Sequence, residues 1–115
     1  MPKALYLSPI IPSFDVDQSL AFFTDLLGFT VTFQGGGYGI CEKDGLSIHF
    51  KPAVPDIGEV EVYLEVDDVD AVWAEMKDKI GALRHKAPFD QPYKMREAHI
   101  DVPATRCLLY LGQCI

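Results

Sequence analysis

The sequence predicts an α+β fold made of two copies of one βαβββ module, with a curved mixed sheet whose helix-free side forms a concave cup. Three observations predict it. First, Asp15-Val16-Asp17-Gln18-Ser19-Leu20-Ala21-Phe22-Phe23-Thr24-Asp25-Leu26-Leu27-Gly28 returns 53 residues later, from Asp68 to Gly81, with six of fourteen positions identical. Second, each copy carries the marks of one helix: an acidic cap, an apolar stripe and a closing glycine. Third, runs of alternating apolar and polar residues, the period of a strand, stand before and after each copy. A repeat of this length sets the architecture. The modules run over about 1–52 and 59–115. Together they make a single domain of 115 residues, because half that length is too short to hold a core alone.

Ala4 to Pro12 reads as an extended strand. Pro9 and Pro12 offer no N–H to a ladder, so it lies at an edge or ends early. The first helix runs from about Asp17 to Leu27, with Leu20, Phe23 and Leu27 on one face. Phe29 to Phe33 alternates as a half-buried strand. Gly35-Gly36-Gly37 is a hairpin turn and not a phosphate cradle, since no lysine or helix start follows it. Tyr38 to Glu42 is the next strand, and Asp44-Gly45 a second hairpin turn. Leu46 to Lys51 puts Leu46, Ile48 and Phe50 on one face and Ser47, His49 and Lys51 on the other. Pro52 to Gly58 reads as the linker between modules.

The second module opens with Val60 to Val66, where Val60, Val62, Leu64 and Val66 want a core and Glu61, Tyr63 and Glu65 face away. The second helix carries Val69, Val72, Trp73, Met76 and Ile80 on one face and closes at Gly81. Ala82 to His85 reads as a short strand, and Ala87 to Tyr93 as a loop. Met95 to Asp101 and Arg106 to Leu111 are the last two strands, turned at Val102-Pro103-Ala104-Thr105.

Composition narrows the function. About half the residues are apolar, enough for a real core, and the formal charge is −7. That charge argues against nucleic acid and anionic membranes, and favours a cationic or neutral small-molecule ligand. Cys41, Cys107 and Cys114 are odd in number and form no Cys-x-x-Cys, which suits reduced thiols in a cytoplasmic protein without structural zinc. The N-terminal apolar run is broken by prolines and too short to span a membrane. Exposed strand edges favour a homodimer.

The helices must cover the Val/Leu/Ile side of the strands. The opposite face then carries His49, Glu61, Tyr63 and, by continuity, Ser8, as the wall of a small-molecule pocket. No serine sits in a nucleophile elbow. Glu42, Glu61 and Glu97 are of the right type for acid–base work, although spacing alone does not bring them together. His85 and His99 read as solvent-facing or locally satisfied, and Arg96 as a surface or cross-strand pair.

The duplicated frame resembles the vicinal oxygen chelate superfamily of glyoxalase I, extradiol dioxygenases and bleomycin-resistance proteins. Ser19 to Phe29 is similar to that family's first helix with its Leu-Gly-Phe ending. Leu64 to Asp70 is similar to the approach to its second helix, and Lys94 to Asp101 to the strand before its last turn. In metal-dependent members four strands each supply one ligand. By that resemblance the positions are Ser8, His49, Glu61 and, near the last turn, Leu109 or Leu108. Only His49 and Glu61 are metal-competent, fewer than the three protein ligands a catalytic metal usually has. The resemblance therefore implies no cofactor, and a divalent metal at His49 and Glu61 only under the alternative of a lyase, isomerase or dioxygenase. The bleomycin-resistance branch, whose members hold a bulky cationic drug in an acidic, aromatic dimer groove, matches better in kind. It implies antibiotic-resistance-like sequestration of a ligand, with Phe33 and Tyr38 joining Ser8, His49, Glu61 and Tyr63 as wall residues.

Overall fold

The computed structural model describes residues 2–115. The elements are β1 (Ile10–Ser13), α1 (Val16–Leu27), β2 (Thr30–Gly35), β3 (Tyr38–Lys43), β4 (Leu46–Pro52), β5 (Val60–Glu65), α2 (Val69–Met76), β6 (His85–Gln91), β7 (Met95–Asp101) and β8 (Cys107–Cys114). The strands form two four-stranded mixed sheets, ordered β1-β4-β3-β2 and β5-β8-β7-β6. The two orders are the same, which is the βαβββ repeat seen in the sequence. The halves meet along α1 and α2 and at a corner where Ser13 bridges to Thr105 and the Phe14 N–H donates to the Ala104 carbonyl at 2.7 Å.

Both helices start as their sequences require. The Asp15 carboxylate accepts from the Gln18 N–H and that of Asp68 from the Ala71 N–H, satisfying donors that the first helical turn leaves free. Gly28 closes α1 at φ 74°, a left-handed conformation that costs glycine little. The Lys43 ammonium adds a bond to the Leu27 carbonyl at 2.9 Å. α1 lays Leu20, Phe23 and Leu27 into a core shared with Ile48 and Phe50, and α2 lays Val69 and Met76 onto Ala98, Ile100, Leu109 and Leu111.

Five expectations change. Ala82 to Arg84 form no strand, and His85 is the first residue of β6. The first strand does not reach back to Ala4; β1 is the short stretch Ile10–Ser13, and the chain before it carries its polar groups to solvent and to β4. α2 ends at Met76 rather than at Gly81. There the Lys79 N–H reaches the Met76 carbonyl, an i→i+3 bond that tightens the turn and carries Ile80 back into the core. The stretch predicted as a loop, Ala87 to Tyr93, mostly belongs to β6. Pro88 is tolerated because β6 is an edge strand and its register slips between Lys86 and Phe89. Finally, β8 runs on through Cys114, since Gln113 and Cys114 pair with Arg96 and Met95.

Candidate functional site

Side chains alternate across a sheet, so the register sorts each candidate onto a face. On the first sheet Ile11, Cys41, Ile48 and Phe50 are buried beneath α1. Tyr38, Ser47 and His49 take the helix-free face, and so does Phe33, which stands opposite Ile40. His49 is bonded at both nitrogens, Nδ1 to the Tyr38 hydroxyl at 2.8 Å and Nε2 to the Tyr6 hydroxyl at 3.0 Å. A neutral imidazole has one N–H, so one phenol donates and the other accepts. Ser8 lies beside this group, its hydroxyl donating to the Ser47 carbonyl at 2.8 Å.

On the second sheet the register gives Glu61, Tyr63, Tyr110, Gly112, Glu97, His99 and Phe89 the helix-free face. Glu97 is 1% exposed. Its carboxylate accepts from Tyr93 Oη at 2.6 Å, His99 Nε2 at 3.0 Å and Gln91 Nε2 at 3.1 Å. Burial pushes the Glu97 pKa up, but these three bonds outweigh it and hold the group below the usual carboxylate range. The bond to Glu97 raises the Tyr93 phenol to about 12. The nearby Glu61 carboxylate, and after it burial, push the Tyr110 phenol up as well. The His99 ring lies 4.1 Å from the Tyr110 ring and edge-on to Phe89 at 5.3 Å. Tyr63 lies across Gly112, where a Cβ would run into its hydroxyl.

The register also corrects the fourth metal position. Ile10 pairs with His49, and Tyr63, 53 residues after Ile10, pairs with Tyr110. Tyr110 therefore holds in the second module the place that His49 holds in the first. Leu109 instead points beneath α2 and is fully buried, and Leu108 stands opposite Glu61, one pair too early. In the turn before β8, Ala104 sits at φ 62°, and the Thr105 hydroxyl donates to the Val102 carbonyl and accepts from the Cys107 N–H.

Within one chain the set Ser8, His49, Glu61 and Tyr110 does not converge on one point. Its imidazole and carboxylate stand on different sheets, and both imidazole nitrogens already bond to phenols. Among the described residues no three of His, Cys, Asp and Glu gather as a ligand set. A cleft of about 500 Å³ lies elsewhere, between the end of α1, the β3–β4 turn and the β5–α2 connection, and none of the predicted site residues line it.

The structure thus brings Tyr38, His49 and Ser8 together on one sheet, with Phe33 further along that face, and Glu61 and Tyr63 on the other. Sequence reasoning missed Tyr6, Tyr93 and Tyr110, left Glu97 unplaced and read His99 as solvent-facing or locally satisfied, where the structure bonds it to Glu97. A signal for two of them was present: alternation within one strand puts Glu97 and His99 on the same face, while Tyr110 joins them only through the β7–β8 register.

Comparison with known proteins agrees with this geometry. The profile of the Glyoxalase/Bleomycin resistance protein/Dioxygenase superfamily matches residues 6–104, and the chain belongs to that superfamily. Among solved structures it is similar to a bleomycin resistance determinant encoded on the transposon Tn5, with 26% identity, TM-score 0.79, and 96% of this chain and 98% of that one covered. It is equally similar to a bleomycin-binding protein complexed with bleomycin, with 26% identity, TM-score 0.77 and coverage of 97% and 100%. The antibiotic binding protein TnmS3 from Streptomyces sp. CB03234, at 19% identity, TM-score 0.80 and coverage of 100% and 99%, shares the fold. No curated protein matches the sequence.

Proposed function

We propose that this protein sequesters a small organic cation with aromatic character on its helix-free faces, without a metal, in a cleft closed by a second copy of the chain. One observation carries the reading: the carboxylates of Glu61 and Glu97 are set among Tyr63, Tyr93, Tyr110, Phe89 and His99 on a single open face. Cations gain both from aromatic faces and from nearby carboxylates. The charge of −7 points the same way, and so does the bleomycin bound by a relative of 26% identity. The second copy is invoked because the faces stay open in one chain, with Ile10 54%, Phe33 51% and Tyr63 45% exposed. Free thiols at Cys41, Cys107 and Cys114 suit a reducing, cytoplasmic setting.

Thermal unfolding of chelator-stripped protein tests this, with one panel of aromatic cations and one of zinc, nickel, manganese and ferrous iron. A ligand of the native state at ~100-fold its dissociation constant adds about 2.7 kcal/mol. Cations are expected to raise the midpoint, and Glu61→Gln with Tyr63→Ala to abolish the rise. A rise with a metal, lost in His49→Ala and Glu61→Ala, would instead overturn the metal-free reading in favour of the metal-dependent alternative.

A further inference from the structure

The Glu97–His99 pair carries more than charge. His99 Nε2 stands 3.0 Å from Glu97 Oε1. An ionised carboxylate can only accept, so the neutral imidazole must hold its proton on Nε2. Nδ1 then bears the lone pair. That nitrogen has no hydrogen-bond partner among the described residues. Nor is it sealed off, since Ser47 Oγ is the one buried, unbonded side-chain polar atom among the described residues. The ring is held between Tyr110 and Phe89, while Gln91 at the same carboxylate oxygen and Tyr93 at the other hold Glu97 in place. His49 offers nothing comparable, as both its nitrogens are taken.

We infer that His99 Nδ1 is the hydrogen-bond acceptor that selects the ligand: of the cations able to stack on Tyr110 and Tyr63, the site takes those that donate an N–H, namely protonated amines, amidines and guanidines. Glu97 is the positioning residue that fixes the tautomer. The inference rests on the helix-free face being the binding surface.

Two measurements test it. The first is the ¹⁵N shifts of the His99 imidazole in its neutral form, read at alkaline pH. The Nε2–H tautomer is expected, and Glu97→Gln, whose amide offers a donor as well as an acceptor, is expected to bring in the Nδ1–H form. The second is titration with benzamidine and with benzyltrimethylammonium, both aromatic cations, of which only benzamidine has N–H donors. Benzamidine is expected to bind about tenfold more tightly, which corresponds to about 1.4 kcal/mol. His99→Phe, which keeps a ring against Tyr110 but has no ring nitrogen, is expected to erase the difference between the two cations. An Nδ1–H tautomer in the wild type, or equal affinities, overturns the inference and spares the binding surface. Binding of neither cation overturns both.

Discussion

Glu97 shows how much one residue holds on this face. A carboxylate 1% exposed needs its charge answered, and Tyr93, His99 and Gln91 answer it. Breaking such a buried network costs about 1–3 kcal/mol, so Glu97→Gln is expected to lose that much in urea unfolding near neutral pH. The pH dependence has a definite sign. The folded-state pKa lies below the ordinary carboxylate value. The electrostatic part of the contribution is therefore full above the unfolded value of about 4.3 and is lost as pH falls through the folded one. The stability gap between wild type and variant is expected to narrow in the acid range. A gap that stays constant there would mean that the carboxylate's charge contributes nothing. The residues that could reveal this network were all legible in the sequence, but their meeting was not. Alternation puts Glu97 and His99 on one face of their strand, whereas Tyr110 joins them only through the β7–β8 register and Tyr93 only through the turn between β6 and β7.

The elements are held by close approach as much as by area. α1 packs directly on β3 at Gly39, where a Cβ would lie 2.5 Å from Leu20 Cδ1 and 3.0 Å from Val16 Cγ1. Overfilling such a site costs ~1–3 kcal/mol. Gly39→Ala is therefore expected to lower the unfolding midpoint clearly, and Gly58→Ala, where nothing lies within 4 Å, to leave it nearly unchanged. Equal midpoints for the two variants would show that α1 yields freely. The helices and most strands could be read from the sequence because caps and alternation are local. The short β1, the early end of α2 and the strand at Pro88 could not. Each depends on a neighbour: what β1 has to pair with, the bond that turns Ile80 inward, and the edge position that spares Pro88 a missing N–H.

At the scale of the molecule, the two modules are joined by a buried serine pair. Ser13 and Ser19 share a hydrogen bond at 2.7 Å, and Ser19 donates to the Pro103 carbonyl at 2.8 Å. This tie fixes the corner between the halves while both helix-free faces stay open. If a second copy closes them, sedimentation is expected to give about twice 12.8 kDa. Ile10→Lys, on the exposed side of β1, is then expected to return the mass to the monomer without unfolding it. A monomer at all concentrations would remove the dimer cleft from the proposed function.

The sequence by itself determined the duplicated module, the helix boundaries set by Asp15, Asp68 and Gly28, and the face on which His49, Glu61 and Tyr63 lie. It could do so because capping, periodicity and repetition are written in neighbouring residues. Only the tertiary structure decided that Tyr110, and not Leu109, matches His49, and that phenols close both nitrogens of His49 while Glu97 leaves one nitrogen of His99 open. Those outcomes depend on the register between strands far apart in sequence, and a change of one residue in a turn is enough to exchange the two faces of a strand.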